Sequence, residues 1–366
     1  MVFEPPFCPL QGCPNREQPT AKFCIRYGYF APAGRPKKVQ RFRCKACRRT
    51  FSEVTFRLDC GDRRPEVNTK LFEALVSGTG YRQCARTLDM GVSAVQRKAR
   101  KLSKHAGFLH DNLSPRLPAD RIYLLDEEET YEQASIRTLT MPVLIEREHW
   151  FVVTTEVGSS RRLAAKGTER RAWQDREELL NGPRPDQSRE CVLTVMQDLD
   201  RRIAGSDLVL ETDQKSSYAT IANEVFGKRV VHMTTSSRQA RTTCNPLFPI
   251  NTTLAMTRDN LGRLRRQSWL VTKKGEFLRG HMNLFLAYRN YVRKRFNRDK
   301  KMEPGTTIVL QHFDTQSTLY DIGMQGYFAH HDARLYASRK AYVHSGEIIS
   351  LDTRRTKTQP NSWGIE

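Results

Sequence analysis

Arg121-Ile122-Tyr123-Leu124-Leu125-Asp126 and Asp207-Leu208-Val209-Leu210-Glu211-Thr212-Asp213 are the two stretches on which the fold of this chain turns. Each is a short apolar run that finishes on acids, and the first continues into Glu127, Glu128 and Glu129. Runs of this length with β-branched and aromatic content are strands, too short for buried helices. Between them, residues 136–145 and 150–157 are two further β-branched runs joined by the polar link Glu146-Arg147-Glu148-His149, as in an antiparallel meander. Residues 158–189 are hydrophilic, with Arg161, Arg162, Arg170 and Arg171, and predict a loop or helical insertion. A helix over 191–199 precedes the second acid-tipped strand; a helix over 218–226 and a strand over 229–233 follow it. Three strands, a helix, a strand, a helix and a strand predict a mixed α/β sheet in which acids at the ends of the first and fourth strands converge. A single strand-terminal acid is usually a solvated turn. A convergent pair is what hard divalent cations prefer, and two such ions assist in-line displacement at phosphorus. Asp126 and Asp213 are therefore the candidate ligands for Mg2+ or Mn2+.

Working toward the N-terminus, the next pattern is a cysteine frame. Cys8-x4-Cys13 is followed after 30 residues by Cys44-Lys45-Ala46-Cys47. Two short cysteine pairs at this separation suit a tetrahedral four-thiolate zinc site, with the intervening chain returning as strands. The expectation is a zinc ribbon with Cys8, Cys13, Cys44 and Cys47 as ligands of a structural Zn2+. Cys24 has no paired neighbour and is expected to be a buried thiol. Lys37, Lys38, Arg41, Arg43, Lys45, Arg48 and Arg49 surround the second pair, so the ribbon is expected to meet phosphate.

Between ribbon and sheet the pattern is helical. Val67, Leu71, Phe72, Leu75 and Val76 mark a helix over 66–77, and a second runs over 81–88 after Gly78-Thr79-Gly80. Met90-Gly91 is expected to turn the chain, with Gly91 left-handed, and Ser93 to cap a third helix over 94–102. Val95, Ala99 and Leu102 face inward in that helix, while Gln96, Arg97, Arg100 and Lys101 face out. Helix, glycine turn and basic helix is the geometry of a helix-turn-helix that sets a recognition helix in the major groove.

Composition agrees with a polyanionic partner. The 366 residues hold 61 Lys+Arg against 40 Asp+Glu, a net charge of +21. Residues 1–110 carry +14 and residues 258–301 carry +11, while the remainder comes to −4. Two basic blocks around a slightly acidic middle predict two nucleic-acid contact surfaces flanking something else. No apolar run approaches the ~18 residues that span a bilayer, and the first residues are not a signal peptide. A cytoplasmic, nucleoid-associated protein without membrane contact is expected, with its unassigned cysteines reduced.

The ribbon with its Arg43-Cys44-Lys45-Ala46-Cys47-Arg48-Arg49-Thr50-Phe51-Ser52 ending, the helix-turn-helix, Leu125-Asp126-Glu127 and Thr212-Asp213-Gln214-Lys215-Ser216-Ser217-Tyr218 together resemble bacterial insertion-sequence transposases of the DDE type, over about residues 7–296. The resemblance implies a ribonuclease-H-like catalytic fold. It implies Mg2+-dependent cleavage at the ends of a double-stranded DNA element, followed by strand transfer into target DNA. It also implies a homodimer or larger assembly, since two ends must be joined. The family's third metal ligand opens the helix after the last strand, where this chain has Ile250-Asn251-Thr252-Thr253-Leu254-Ala255-Met256-Thr257-Arg258. Asn251 stands where Glu is usual, and some related subfamilies carry Asn there with Lys or Arg seven residues on, as Arg258 is. Seven residues are nearly two helical turns, so Asn251 and Arg258 share a face. An amide oxygen can ligate Mg2+, and an arginine can clamp a phosphate. The alternative is Asn251 as a helix N-cap, with Asp259 or Glu276 as the acid.

Downstream, residues 277–296 keep Leu278, Met282, Phe285, Tyr288, Val292 and Phe296 at three-to-four spacing, a core stripe. Arg289, Arg293, Lys294 and Arg295 on the other face, and Arg263, Arg265, Arg266, Lys273 and Lys274 before it, are expected to follow a DNA backbone. The expected organisation is a zinc ribbon over 1–58, a helix-turn-helix over 62–108, an α/β catalytic core with a ribonuclease-H-like mixed sheet over 118–300, and an extension over 301–366. A catalytically silent descendant acting as a sequence-specific DNA-binding regulator is the competing expectation, favoured by Asn251.

Overall fold

The computed structural model describes residues 3–31, 38–56, 59–114, 116–265 and 269–293. Lys37, Arg266, Lys294, Arg295, Phe296 and the 301–366 extension lie outside them. The chain divides into two compact units between Thr69 and Lys70.

The first unit has a short helix α1 (Pro14–Glu17) and an antiparallel sheet of β1 (Cys24–Phe30), β2 (Val39–Cys44) and β3 (Thr50–Ser52), in that order. Alternation along β2 sends Phe42 and Cys44 inward, leaving Arg41 and Arg43 half-buried on the other side. Phe42 stacks on Phe51, ring centroids 6.0 Å apart, and Phe7, Phe23 and Phe56 complete the core. In β1 the residues Tyr27 and Gly28 oppose the single residue Arg41, a bulge that Gly28 permits by taking φ +72°. A core this small is marginal without a further cross-link.

Helix α2 (Asn68–Leu75) spans this division, and the second unit continues with α3 (Tyr81–Thr87) and α4 (Val92–Leu113). Gln83 accepts the Gly80 N–H at 2.7 Å, which starts α3. The turn between α3 and α4 differs from expectation. Asp89 takes the left-handed conformation (φ +48°), whereas Gly91 has φ −67° and is itself the N-cap, so Ser93 lies inside the first turn. The third helix also runs on to Leu113, 22 residues in all. Ser103, His105 and His110 break the apolar pattern but are buried. Ser103 donates to the Ala99 carbonyl (2.7 Å), and His110 bonds the Val153 carbonyl (2.7 Å) and Tyr291 (3.0 Å).

The sheet is built from β4 (Ile122–Tyr131), β5 (Thr138–Glu146), β6 (Val152–Thr155), β7 (Gly158–Ser159), β8 (Leu208–Asp213) and β9 (Val230–Thr235). Its order is β6-β5-β4-β8-β9, with β7 pairing β5. The ladders β4–β5 and β5–β6 are antiparallel; β4–β8 and β8–β9 are parallel. The hydrophilic insertion contains α5 (Glu169–Asn181); α6 (Ser188–Arg202) precedes β8 and α7 (Ser216–Phe226) follows it. On the opposite face lie α8 (Phe248–Asn260) and α9 (Gly275–Ala287). Leu124, Met141, Val143 and Ile145 from the sheet meet Ile250 and Leu254 of α8 and Leu278, Met282 and Phe285 of α9 in one buried cluster. The fold is mixed α/β, with the four-cysteine ribbon as a separate small sheet.

Helix α4 lies close against α9. A Cβ at Gly280 would stand 3.1 Å from Ser103 Oγ, and one at Gly107 would stand 2.8 Å from Asn283 Nδ2, so glycine at each helix surface permits the approach. After α9 the backbone opens into a π-helical turn over Tyr288–Val292. Arg289, expected on a DNA-facing surface, is 0% exposed, because it stands four residues after Phe285 and seven after Met282 on the face that packs into the core. Asn290 Oδ1 accepts the Val152 N–H (2.9 Å) and its Nδ2 donates to the Val152 carbonyl (2.8 Å), closing the edge of β6. Among the described residues no helix is long and apolar enough to cross a membrane.

Candidate functional site

The ribbon brings its four predicted thiols together. Cys8 Sγ lies 3.5 Å from Cys47 Sγ and Cys13 Sγ lies 3.8 Å from Cys44 Sγ, all four falling within 4.8 Å of one another. Tetrahedral zinc with ~2.3 Å bonds to sulfur requires thiolates about 3.8 Å apart, so the donor set fits a structural zinc ion. The second knuckle forms because Arg48 takes φ +62° and returns its N–H to the Cys44 carbonyl (3.1 Å). Burial raises the Cys8 and Cys13 thiols and acts the same way on Cys44, but there the backbone N–H groups of Cys47 and Ala46, together with the thiols of Cys47 and Cys13, outweigh it and bring Cys44 down to about 7, toward the thiolate that a metal takes. Cys24 stands opposite Cys44 in the ladder, half-buried and outside the cluster, its thiol raised by burial.

The acidic centre lies where β4 and β8 part. Their parallel ladder pairs Ile122 with Val209, Tyr123 with Leu210 and Leu124 with Glu211, then ends. Two residues on, Asp126 and Asp213 continue the face of Leu124 and Glu211, the face covered by α8. Asp126 Oδ1 accepts the Glu127 N–H at 2.7 Å, and Asp213 Oδ1 accepts the Lys215 N–H at 3.0 Å. Burial raises the Asp126 carboxyl to about 6 against the pull of the Glu127 N–H, and the charges of Asp213, Glu127 and Glu128 push the same way. A bound cation would relieve both the burial and the like-charge repulsion.

The acid run is not the end of its strand, as expected, but its middle: β4 continues to Tyr131 and pairs with β5 from Tyr123 to Tyr131. Alternation therefore sends Asp126 and Glu128 to the α8 face and Glu127 to the other. Glu128, 3% exposed, receives Arg258 through Nε (3.0 Å to each oxygen) and Nη2 (2.8 Å). Glu127 accepts Tyr218 Oη (2.9 Å) and Thr140 Oγ1 (2.8 Å), and it pairs with the Lys215 ammonium. Sequence reasoning assigned no role to Glu127, Glu128, Lys215 or Tyr218. Reading β4 onward past Asp126 with period two would have exposed the Asp126–Glu128 pairing.

Asn251 lies inside the first turn of α8, which Leu247 caps, so it is not the N-cap. Its Nδ2 donates to the Leu247 carbonyl (2.9 Å), leaving Oδ1 as the atom with lone pairs to offer. The alternative acids stand elsewhere: Glu276 opens α9 and pairs with Arg100 (2.9 Å), and Asp259 is exposed near the end of α8.

The basic residues separate into two groups. Gln96, Arg97, Lys45, Arg48, Lys273 and Lys274 are exposed, while Lys101, Arg49 and Arg293 are half-buried. Arg100 is engaged by Glu276 and lies over the Phe277 ring at 4.6 Å. Arg263 stacks on Tyr81 (4.8 Å) and Phe277 (5.5 Å), and Arg265 donates to the Asp259 carbonyl (3.0 Å). With Arg289 these side chains serve internal packing in this structure, and the reason is aromatic and carbonyl surface supplied by α3, α8 and α9.

Part of this chain is similar to an insertion-element protein. The protein InsA of insertion element iso-IS1N from Shigella dysenteriae is 37% identical over 62 residues. The match takes in 17% of this chain, which spans 66% of the length of InsA, just under two thirds. No protein-family model matches the chain.

Proposed function

We propose that this protein is a DNA transposase of the DDE type, in which Asn251 takes the third ligand position. The observation that carries the reading is the placement of Asp126 and Asp213 on one face of the neighbouring parallel strands β4 and β8, with the Asp126 carboxyl raised to about 6 chiefly by burial. The mixed sheet supports the reading, with the two aspartates on the neighbouring parallel strands β4 and β8. The partial similarity to InsA is in keeping with it.

Bound Mg2+ or Mn2+ would polarise a phosphoryl oxygen and activate the attacking hydroxyl. The chain's own groups prepare the place. Asp126 and Asp213 supply charged oxygens, each oriented by a backbone N–H. Asn251 supplies a neutral one, and the Glu128–Arg258 pair keeps α8 against β4. Helix α4 presents Gln96 and Arg97 to a DNA duplex, and the zinc ribbon adds Lys45 and Arg48. The DNA ends, the target and a dimeric or larger assembly belong to this reading.

The test is strand cleavage and joining on a labelled duplex carrying the element's own end, with Mg2+ or Mn2+, comparing wild type with Asp126→Ala, Asp213→Ala and Asn251→Ala. Metal-dependent product is expected from wild type and from neither aspartate variant. Loss in Asn251→Ala as well assigns the amide to the site. The neutral Asn251 favours a second reading, a DNA-binding regulator without catalysis, for which wild type would bind the end tightly and cut nothing.

A further inference from the structure

The ribbon separates its aromatic residues by kind. Phe7, Phe23, Phe42, Phe51 and Phe56 are at most 6% exposed and form the core, whereas Ile25, Tyr27 and Tyr29 of β1 stand 48%, 40% and 64% exposed. The core closes without these three, so packing gives no reason for large apolar side chains on an outer strand. Cations lie beside the first two. Ile25 lies opposite Arg43 in the ladder, and the Tyr27 ring has the Arg43 guanidinium 5.2 Å and the Arg41 guanidinium 5.5 Å from its centroid. The Nε atoms of both arginines are buried with no hydrogen-bond partner among the described residues. Lys45 and Arg48 are exposed on the adjoining knuckle, and β1, β2, β3 and that knuckle carry no acidic side chain.

We propose that the β1 edge of the ribbon binds an unpaired DNA strand, with bases against Tyr27 and Tyr29 and phosphates against Arg41 and Arg43. The charge selects a polyanion over a protein surface of mixed sign. The tyrosines select the unpaired strand. A duplex keeps its base faces stacked inside and offers phosphates and groove edges, for which exposed rings do nothing; an open strand offers a π-face at every base. Arginine beside tyrosine extends the platform, since guanidinium planes stack on bases as well. The register sets Tyr27 on the face of Arg41 and Arg43 and, past the bulge at Gly28, Tyr29 opposite Gln40 on the other face, so an open strand meets both rings by passing over the edge strand β1. The inference rests on the transposase reading only in naming DNA rather than RNA.

The experiment is fluorescence anisotropy of the full zinc-loaded chain, with a short labelled oligothymidylate and a duplex of the same length as separate probes, each variant checked for zinc content. Tyr27→Ala and Tyr29→Ala are each expected to weaken oligothymidylate binding about fivefold or more, and duplex binding by less than about twofold. Tyr27→Phe and Tyr29→Phe are expected to keep both affinities. Because Tyr29 is the more exposed, its variants stand in for those of Tyr27 should the latter lose zinc. Equal loss on both probes, or no loss on either, overturns the proposal, as does a loss confined to Arg41→Gln and Arg43→Gln with the tyrosine variants silent. Tighter binding of oligouridylate than of oligothymidylate overturns the assignment to DNA. Absence of metal-dependent cleavage with this tyrosine-dependent binding intact would reject the transposase reading alone.

Discussion

Arg258 on α8 holds the buried carboxylate of Glu128 on β4 with two prongs, Nε at 3.0 Å and Nη2 at 2.8 Å. Glu128 is two residues beyond Asp126 on the same face of the strand, so the pair sets the distance of α8 from the acidic centre. The arginine that the motif suggested for phosphate is thus engaged by the protein itself.

Removing one partner of a buried ion pair leaves the other charge without compensation. Arg258→Ala is expected to lower stability by about 3 kcal/mol, the low end for such pairs because the Arg258 side chain is 41% exposed. Arg258→Lys is expected to recover little, since an ammonium lacks the planar fork. Urea midpoints with unchanged slope provide the measurement.

Asp126 gives a pH signature in the absence of divalent cations. Burial first, and then neighbouring carboxylates, raise its folded-state carboxyl from 3.8 to about 6. The native state therefore favours the neutral acid, and stability declines as pH climbs from the unfolded value through the folded one. Asp126→Asn is expected to raise the Tm at pH 7.5, with the gain shrinking toward pH 5. Adding Mg2+ is expected to stabilise wild type and leave the variant unmoved. A variant Tm at or below wild type at pH 7.5 would count against the crowded centre.

Lys215 joins both aspartates from behind. Its backbone N–H holds Asp213, and its ammonium pairs with Glu127, whose own N–H holds Asp126. Lys215→Met is expected to cost about 2 kcal/mol, reduced by the exposure of the ammonium, and Tyr218→Phe about 1.5 kcal/mol. Both act on one carboxylate, so the double variant is expected to depart from additivity in a thermodynamic cycle.

Zinc removal is expected to unfold residues 7–52 while the second unit keeps its cooperative transition. Chelation, or Cys44→Ser with Cys47→Ser, followed by calorimetry and near-ultraviolet circular dichroism would reveal one transition lost and one retained. Duplex affinity that does not change on chelation would remove the ribbon from the DNA-binding surface.

Much of this was legible in the residues. The cysteine spacing announced a four-thiolate cluster because knuckle geometry is local, and the apolar runs announced their strands because burial alternates with a short period. The continuation of β4 past Asp126 was not legible. Four acids in a row look like a strand end, whereas Lys215 at the cap of α7, Tyr218 on α7, Thr140 on β5 and Arg258 on α8 are among the groups that compensate Glu127 and Glu128 inside the sheet. Arg289 was misread because its charge was taken to mark the outer face: it stands four residues after Phe285 and seven after Met282, on the stripe that packs into the core, and is 0% exposed.

By itself the sequence determined what is set by neighbours along the chain: element types, the thiolate knuckles and the segregation of charge. Tertiary structure alone decided which charged side chains are ligands, which are internal partners and which face solvent. The physical reason is that a charge is tolerated in the interior only where distant elements bring an opposite charge or a hydrogen bond to it, and that meeting is a property of packing rather than of local sequence.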